Sequence, residues 1–192
     1  MKKLILILTA LSFSRLAVGQ TNLVANPSFE TFATCPTTLD QINQAVGWSS
    51  YSGSPDYYNS CNTSGLGTPF NFIGYQAPAT GEAYAGLIAY DVNGQVREII
   101  GSKLSQTLSI GTKYYVSIKV NLAEFQGPPP QFIPCNKLGV KFSKVPAQGS
   151  DPPYPGPNAT PINNLAQVYS TAIISDTMNW TTISGSFIAD SN

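Results

Sequence analysis

Apolar and polar residues alternate most cleanly at Tyr114-Tyr-Val-Ser-Ile-Lys-Val-Asn-Leu122, where Tyr114, Val116, Ile118, Val120 and Leu122 share one face and Tyr115, Ser117, Lys119 and Asn121 the other. A period of two is the signature of a half-buried β-strand. Leu138, Val140 and Phe142 repeat the pattern against Gly139, Lys141 and Ser143. Further strands are predicted at Glu82–Tyr90, Val96–Leu108, Ala166–Ile174 and Trp180–Ala189, with shorter pieces near Trp48 and Tyr57. Asn22-Leu-Val-Ala-Asn-Pro-Ser-Phe-Glu30 reads as the opening strand, and Ser109-Ile-Gly-Thr112 as a turn joining two long strands. No segment sustains a helical period. Two irregular stretches interrupt the plan: Cys61 to Thr80, rich in Gly, Asn, Thr and aromatics, and Ser143 to Pro161, whose six prolines exclude a central strand. The first reads as a candidate binding loop. The second, like Pro128-Pro-Pro130, reads as a surface excursion held extended by its prolines.

The first nineteen residues follow a different logic. Lys2 and Lys3 precede an apolar run from Leu4 to Phe13, and Ala17-Val-Gly19 has the small-x-small form of a signal-peptide cleavage site. The run is shorter than the roughly 20 residues a membrane span needs, and Arg15 follows it closely. The expectation is a secreted or cell-surface chain beginning at Gln20, not inserted in the membrane. Cleavage leaves 173 residues with seven Lys and Arg against ten Asp and Glu, a formal charge of −3. That balance offers no footprint for nucleic acid or an anionic membrane. The length suits a single domain with its own core.

Only 10% of the chain is charged, well below the roughly 25% usual in globular domains. Helix formers are scarce and turn formers plentiful, which suits an extracellular β protein. The chain lacks histidine altogether, so Ser-His-Asp and Cys-His nucleophile systems are excluded and a zinc site is disfavoured. Glycoside hydrolysis needs only two carboxylates. Asp56, Glu82, Asp91, Glu98 and Glu124 are available, but no spacing singles out a pair, and the expectation is a protein that is not an enzyme.

The three cysteines suit an oxidising compartment. A Cys35–Cys61 bond would restrain the loop carrying Trp48 and Tyr57, a gain of about 3 kcal/mol in the chain-entropy account. It leaves Cys135 as a buried thiol or a contact for an external partner; the alternative bonds Cys135 to one of the others.

The order of Asn22 to Glu30, Gly47-Trp48, Gly81-Glu-Ala-Tyr-Ala-Gly86, Leu108-Ser-Ile-Gly-Thr-Lys-Tyr-Tyr115 and Trp180 to Ala189 resembles the galactose-binding-like jelly roll of carbohydrate-binding modules. The phrases Cys35-Pro36, Pro55-Asp-Tyr-Tyr-Asn-Ser-Cys61 and Phe72-Ile-Gly-Tyr-Gln76 bring it closest to N-terminal modules of bacterial envelope proteins, which precede OmpA-like domains, and of type IX-secreted proteins. The resemblance implies an all-β jelly-roll sandwich of two antiparallel sheets over residues 20–192. It also implies a last strand beyond Asn192, so that the chain would be a fragment with a downstream domain. A structural calcium is implied too, held by Glu30 near the first strand with Asp190 standing in for a C-terminal ligand.

Sugar rings present apolar faces that stack on aromatics, while amides and carboxylates bond their hydroxyls. The stretch from Trp48 to Gln76 has that mixture, and Trp48, Tyr51, Asp56, Tyr57, Tyr58, Asn59, Asn71 and Tyr75 are the candidate ligand-binding residues. The expected role is a non-catalytic module binding glycan or another cell-surface ligand. The competing readings are a structural spacer or adhesion domain with those aromatics buried, and, further off, a glycoside-active enzyme with two carboxylates facing across a cleft.

Overall fold

The computed structural model describes residues 21–90, 97–124, 133–145 and 166–191. The expected signal segment, most of the proline-rich stretch and Pro128-Pro-Pro130 lie outside the described residues.

The chain is nearly all β, built from antiparallel pairs. In order the strands are β1 (Trp48–Ser52), β2 (Asp56–Asn59), β3 (Phe70–Asn71), β4 (Gly74–Tyr75), β5 (Ala83–Gly86), β6 (Ile99–Ser102), β7 (Lys113–Val120), β8 (Gly139–Val140), β9 (Val168–Tyr169) and β10 (Thr181–Ile188). A single 3-10 turn at Ile42–Gln44 is the only helical element among the described residues. The pairs are β1 with β6, β2 with β5, β3 with β4, β7 with β10 and β8 with β9. This architecture is compatible with a β-sandwich.

The strongest periodicity produces the longest pairing. β7 and β10 run antiparallel over their full length, from Thr181 opposite Val120 to Ile188 opposite Lys113. Along β7, Lys113, Tyr115, Ser117 and Lys119 are exposed while Tyr114, Val116, Ile118 and Val120 are half-buried, as the alternation requires. Val116, Ile118 and Val120 pack with Val168, Ile174, Ile183 and Leu138. Gly185 lets β9 approach, since a Cβ there would lie 3.0 Å from Val168 Cγ1. Gly111 takes φ 78° in the turn before β7, and the Thr112 N–H donates to Ser109 O at 3.1 Å, so the Ser109–Thr112 turn is present.

A second core joins the N-terminal half. Ile42, Ala45, Tyr57 and Ala83 are buried together, with Phe29, Trp48, Ala85 and Ile100 packed against them. A third unites Tyr58, Leu66 and Tyr84 with Ile73 and Trp180. These two clusters flank the β2–β5 pair, because Tyr57 and Tyr58 are successive residues of one strand and point to opposite faces.

Two predicted elements differ. Asn22 to Glu30 is not a strand: its ladder is reduced to one bridge between Val24 and Leu104. Asn26 explains why. Its Nδ2 donates to Thr31 O at 2.8 Å and Val46 O at 3.0 Å while its Oδ1 accepts from Thr31 N at 3.1 Å, and Phe29 takes φ 63°. A side chain that bonds backbone on both sides replaces the ladder with a turn. In the other direction, the stretch from Cys61 to Thr80 contains the β3–β4 hairpin, which runs Phe70 opposite Tyr75 and Asn71 opposite Gly74. The remaining predicted strands are present but shorter, with β5, β6, β8 and β9 each two to four residues long.

Glu98 ties the 53–54 turn to the chain before β6. Only 7% exposed, its carboxylate accepts from Ser54 N at 2.9 Å, Ser54 Oγ at 3.1 Å and Ile88 N at 2.8 Å. Three donors to one buried carboxylate offset its desolvation. Gly53, at φ 72°, makes room: a Cβ there would meet Glu98 Cγ at 2.6 Å.

Candidate functional site

Most of the aromatics between Trp48 and Tyr58 serve the core. The Trp48 ring packs on Phe29 at 4.5 Å, and its Nε1 donates to Asn26 O at 2.8 Å. Tyr57 and Tyr58 are both fully buried. The Tyr57 hydroxyl donates to Phe29 O at 2.7 Å and accepts from Asn59 Nδ2 at 2.8 Å, and Asn59, 3% exposed, uses its Oδ1 for Cys61 N. The Tyr58 hydroxyl donates to Asp56 Oδ2 at 3.1 Å, while Asp56 Oδ1 accepts from Asp40 N at 2.8 Å. Burial raises the pKa of both phenols above the ordinary value, and for Tyr58 the Asp56 carboxylate adds to the rise. Tyr51 is half-buried with its ring over Gly101. Trp48, Tyr57 and Asn59 thus serve one face of β2, and Tyr58 with Asp56 the other.

Asn71 and Tyr75 lie elsewhere, on the β3–β4 hairpin, and they bring neighbours that the sequence reading left out. Phe70 is 70% exposed, Phe72 60% and Tyr75 49%. Phe70 and Tyr75 sit opposite each other with ring centroids 4.7 Å apart at an interplanar angle of 69°. Phe70, Asn71, Phe72 and Gly74 line an open notch of about 180 Å³. The available signal was Phe70-Asn71-Phe72, a short alternation ahead of Gly74 that marks a hairpin.

The hairpin is braced from beneath. Phe72 N donates to Gly65 O at 2.9 Å and Gln76 N to Pro69 O at 2.8 Å. Asn71 Nδ2 donates to Gly67 O and to the Tyr84 hydroxyl, and its Oδ1 accepts from Ile73 N. Tyr84 continues into the core through Tyr58, at 5.4 Å, and Trp180, at 5.7 Å. Gly74, at φ 118°, lies against the chain at Glu124: a Cβ would fall 1.8 Å from Glu124 O, so only glycine fits. Asn121 Nδ2 donates to Gln76 Oε1. Three exposed aromatic rings therefore stand on a backbone fixed at several points.

Glu30 caps a turn. Both carboxylate oxygens accept from Glu82 N, at 3.1 and 3.0 Å, and Gly81 at φ 63° brings the turn against them. Asp190, just beyond β10, accepts from Ser191 Oγ. Among the described residues no three Cys, Asp or Glu side chains are gathered as metal ligands. The donor set around Glu30 does not fit a calcium ion as placed, since an N–H faces the oxygens a cation would use. Glu30→Ala is expected to cost about 1 kcal/mol, or about 2–4 °C of melting temperature, in EDTA and in calcium alike. Melting that EDTA lowers, and that Glu30→Ala renders insensitive to chelator, would restore the metal to this corner.

Cys35 and Cys61 are disulfide-bonded, with Cα atoms 5.9 Å apart, and Cys135 is a half-buried free thiol whose pKa burial raises. Of the carboxylates considered for glycoside hydrolysis, Asp56 and Glu98 are engaged by the backbone; Asp91 lies outside the described residues. Among the described residues no helix is long and apolar enough to cross a membrane.

No family model matches the chain, and no curated protein or solved structure matches it either.

Proposed function

We propose that this chain is a secreted, non-catalytic jelly-roll module that binds glycan or another cell-surface ligand on behalf of a larger envelope or exported protein. The observation that carries the reading is the exposed trio Phe70, Phe72 and Tyr75 on a hairpin whose backbone is held from several sides. Exposed aromatic surface is unfavourably hydrated, and stacking the apolar face of a sugar on it removes that surface from water. A rigid backbone spares the ordering cost that a mobile loop would incur on binding. The disulfide supports an oxidising destination.

A structural spacer is the second reading, favoured by the burial of Tyr57 and Tyr58 within the core.

The two separate on a glycan array probed with the secreted protein. Binding that falls at least tenfold in a Phe70→Ala/Phe72→Ala variant is expected, about 1.4 kcal/mol or more of lost contact. Both positions are exposed, so melting should shift by no more than about 0.5 kcal/mol equivalent. Absence of binding to any arrayed glycan, or binding unchanged in the variant, would leave the spacer reading in possession.

A further inference from the structure

The β3–β4 hairpin restricts the ligand in two ways, shape and charge. Phe70 and Tyr75 meet at 69°, with their centroids only 4.7 Å apart. Two rings so inclined cannot share a plane, so a flat ribbon of sugars cannot lie on both at once. One ring of a ligand can stack on one aromatic face while its rim meets the other. The notch beside them, about 180 Å³, is smaller than the roughly 300–1,000 Å³ that drug-sized ligands occupy. It is the scale of a single sugar unit.

Charge gives the second restriction. Between Arg15 and Arg97 the chain has no Lys or Arg at all, while Glu30, Asp40, Asp56, Glu82 and Asp91 fall in that span. All seven basic residues of the mature chain come from Arg97 onward. The notch itself is lined by Phe70, Asn71, Phe72 and Gly74, none of them charged. An anionic ligand would therefore find no cation among the residues that line the notch, and electrostatic complementarity would give it no gain there. Tyr75, 49% exposed, carries a hydroxyl that can donate to and accept from a sugar hydroxyl.

From these two features we infer that the hairpin takes a neutral glycan one pyranose unit at a time, a chain end or a branch tip, seated in the notch at Phe70 and Phe72 with the inclined Phe70–Tyr75 pair at its side. Uronate-rich, sulfated and phosphorylated glycans are disfavoured by charge, and flat crystalline polysaccharide by the angle between the rings. The inference rests on the glycan-binding reading above and narrows its ligand class.

The test uses an array carrying neutral, uronate and sulfated glycans of graded length, microcrystalline cellulose as a flat surface, and amide chemical-shift mapping of the full secreted chain with the shortest array glycan that binds. Expected are binding confined to neutral glycans, insensitivity to sodium chloride from about 50 to 500 mM as befits an uncharged contact, and no gain in affinity beyond two sugar units. Shifts should centre on Phe70, Asn71, Phe72 and Tyr75. Phe70→Ala should weaken binding at least tenfold, whereas Phe70→Trp, which keeps an aromatic face, should retain it. Binding confined to uronate or sulfated glycans, a requirement for four or more units, or adsorption to cellulose alone would overturn the inference and leave glycan binding standing. Shifts mapping away from the hairpin would overturn the placement. No binding to any arrayed glycan would remove the functional reading itself, and this inference with it.

Discussion

Tyr57→Ala is expected to lower the free energy of unfolding by about 3–5 kcal/mol, the cost of deleting a large fully buried aromatic. The ring is 0% exposed and lies among Ile42, Ala45 and Ala83. Its hydroxyl also bridges Phe29 O and Asn59 Nδ2, so removal leaves a part-buried carbonyl and a buried amide without their partner. Tyr57→Phe separates the two contributions: it keeps the packing, loses the bridge, and should cost about 1–3 kcal/mol. Against a total stability of about 5–15 kcal/mol for a domain, the alanine variant should be marginal at 37 °C. Chemical denaturation midpoints of the two variants measure this directly. A loss below about 1 kcal/mol for Tyr57→Ala would show that the residue is not core. Lost glycan binding at unchanged stability would return Tyr57 to the ligand site.

Loss of the Cys35–Cys61 disulfide has the next largest expected effect. The bond closes a loop across a sequence separation of 26, and the chain-entropy account assigns such a cross-link about 3 kcal/mol. Asn59, Cys61 and Asn62 show why the loop depends on it: Asn59 Oδ1 accepts from Cys61 N, and Asn62 Nδ2 reaches back to Pro36 O at 2.8 Å, beside Cys35. A Cys35→Ser/Cys61→Ser variant should unfold at lower denaturant and no longer respond to reductant, whereas the parent protein should lose the same stability when reduced. Non-reducing peptide mapping should recover Cys35 joined to Cys61 and Cys135 as the alkylated thiol. Cys135 found in the disulfide would defeat the prediction.

Sequence and tertiary structure divided the work along the range of the interactions involved. Alternation over eight residues was enough to place β7 and β10, because each strand's inward face is set by its own pleat and needs only some core to face. The turn before β7 was legible for the same local reason, with Gly111 supplying a positive φ. Cys35 with Cys61 was the favoured pair on loop length alone. The strand expected at Asn22 to Glu30 failed because Asn26 bonds Val46, twenty residues ahead, which no local pattern displays.

The candidate site divided in the same way. An Asn- and aromatic-rich stretch was evident, but which aromatics face water was not. Tyr57 and Tyr58 are adjacent tyrosines with the composition of a binding loop, and they became core because β5, Ala45 and Leu66 close over both faces of β2. Phe70 and Phe72, more apolar than either tyrosine, stay exposed because nothing in the described fold covers that side of the hairpin. Composition determined that this chain would be a β protein rich in aromatic side chains. Burial of any one ring is a property of the elements brought against it from distant sequence, so only the tertiary structure could decide which aromatics hold the core and which meet the solvent.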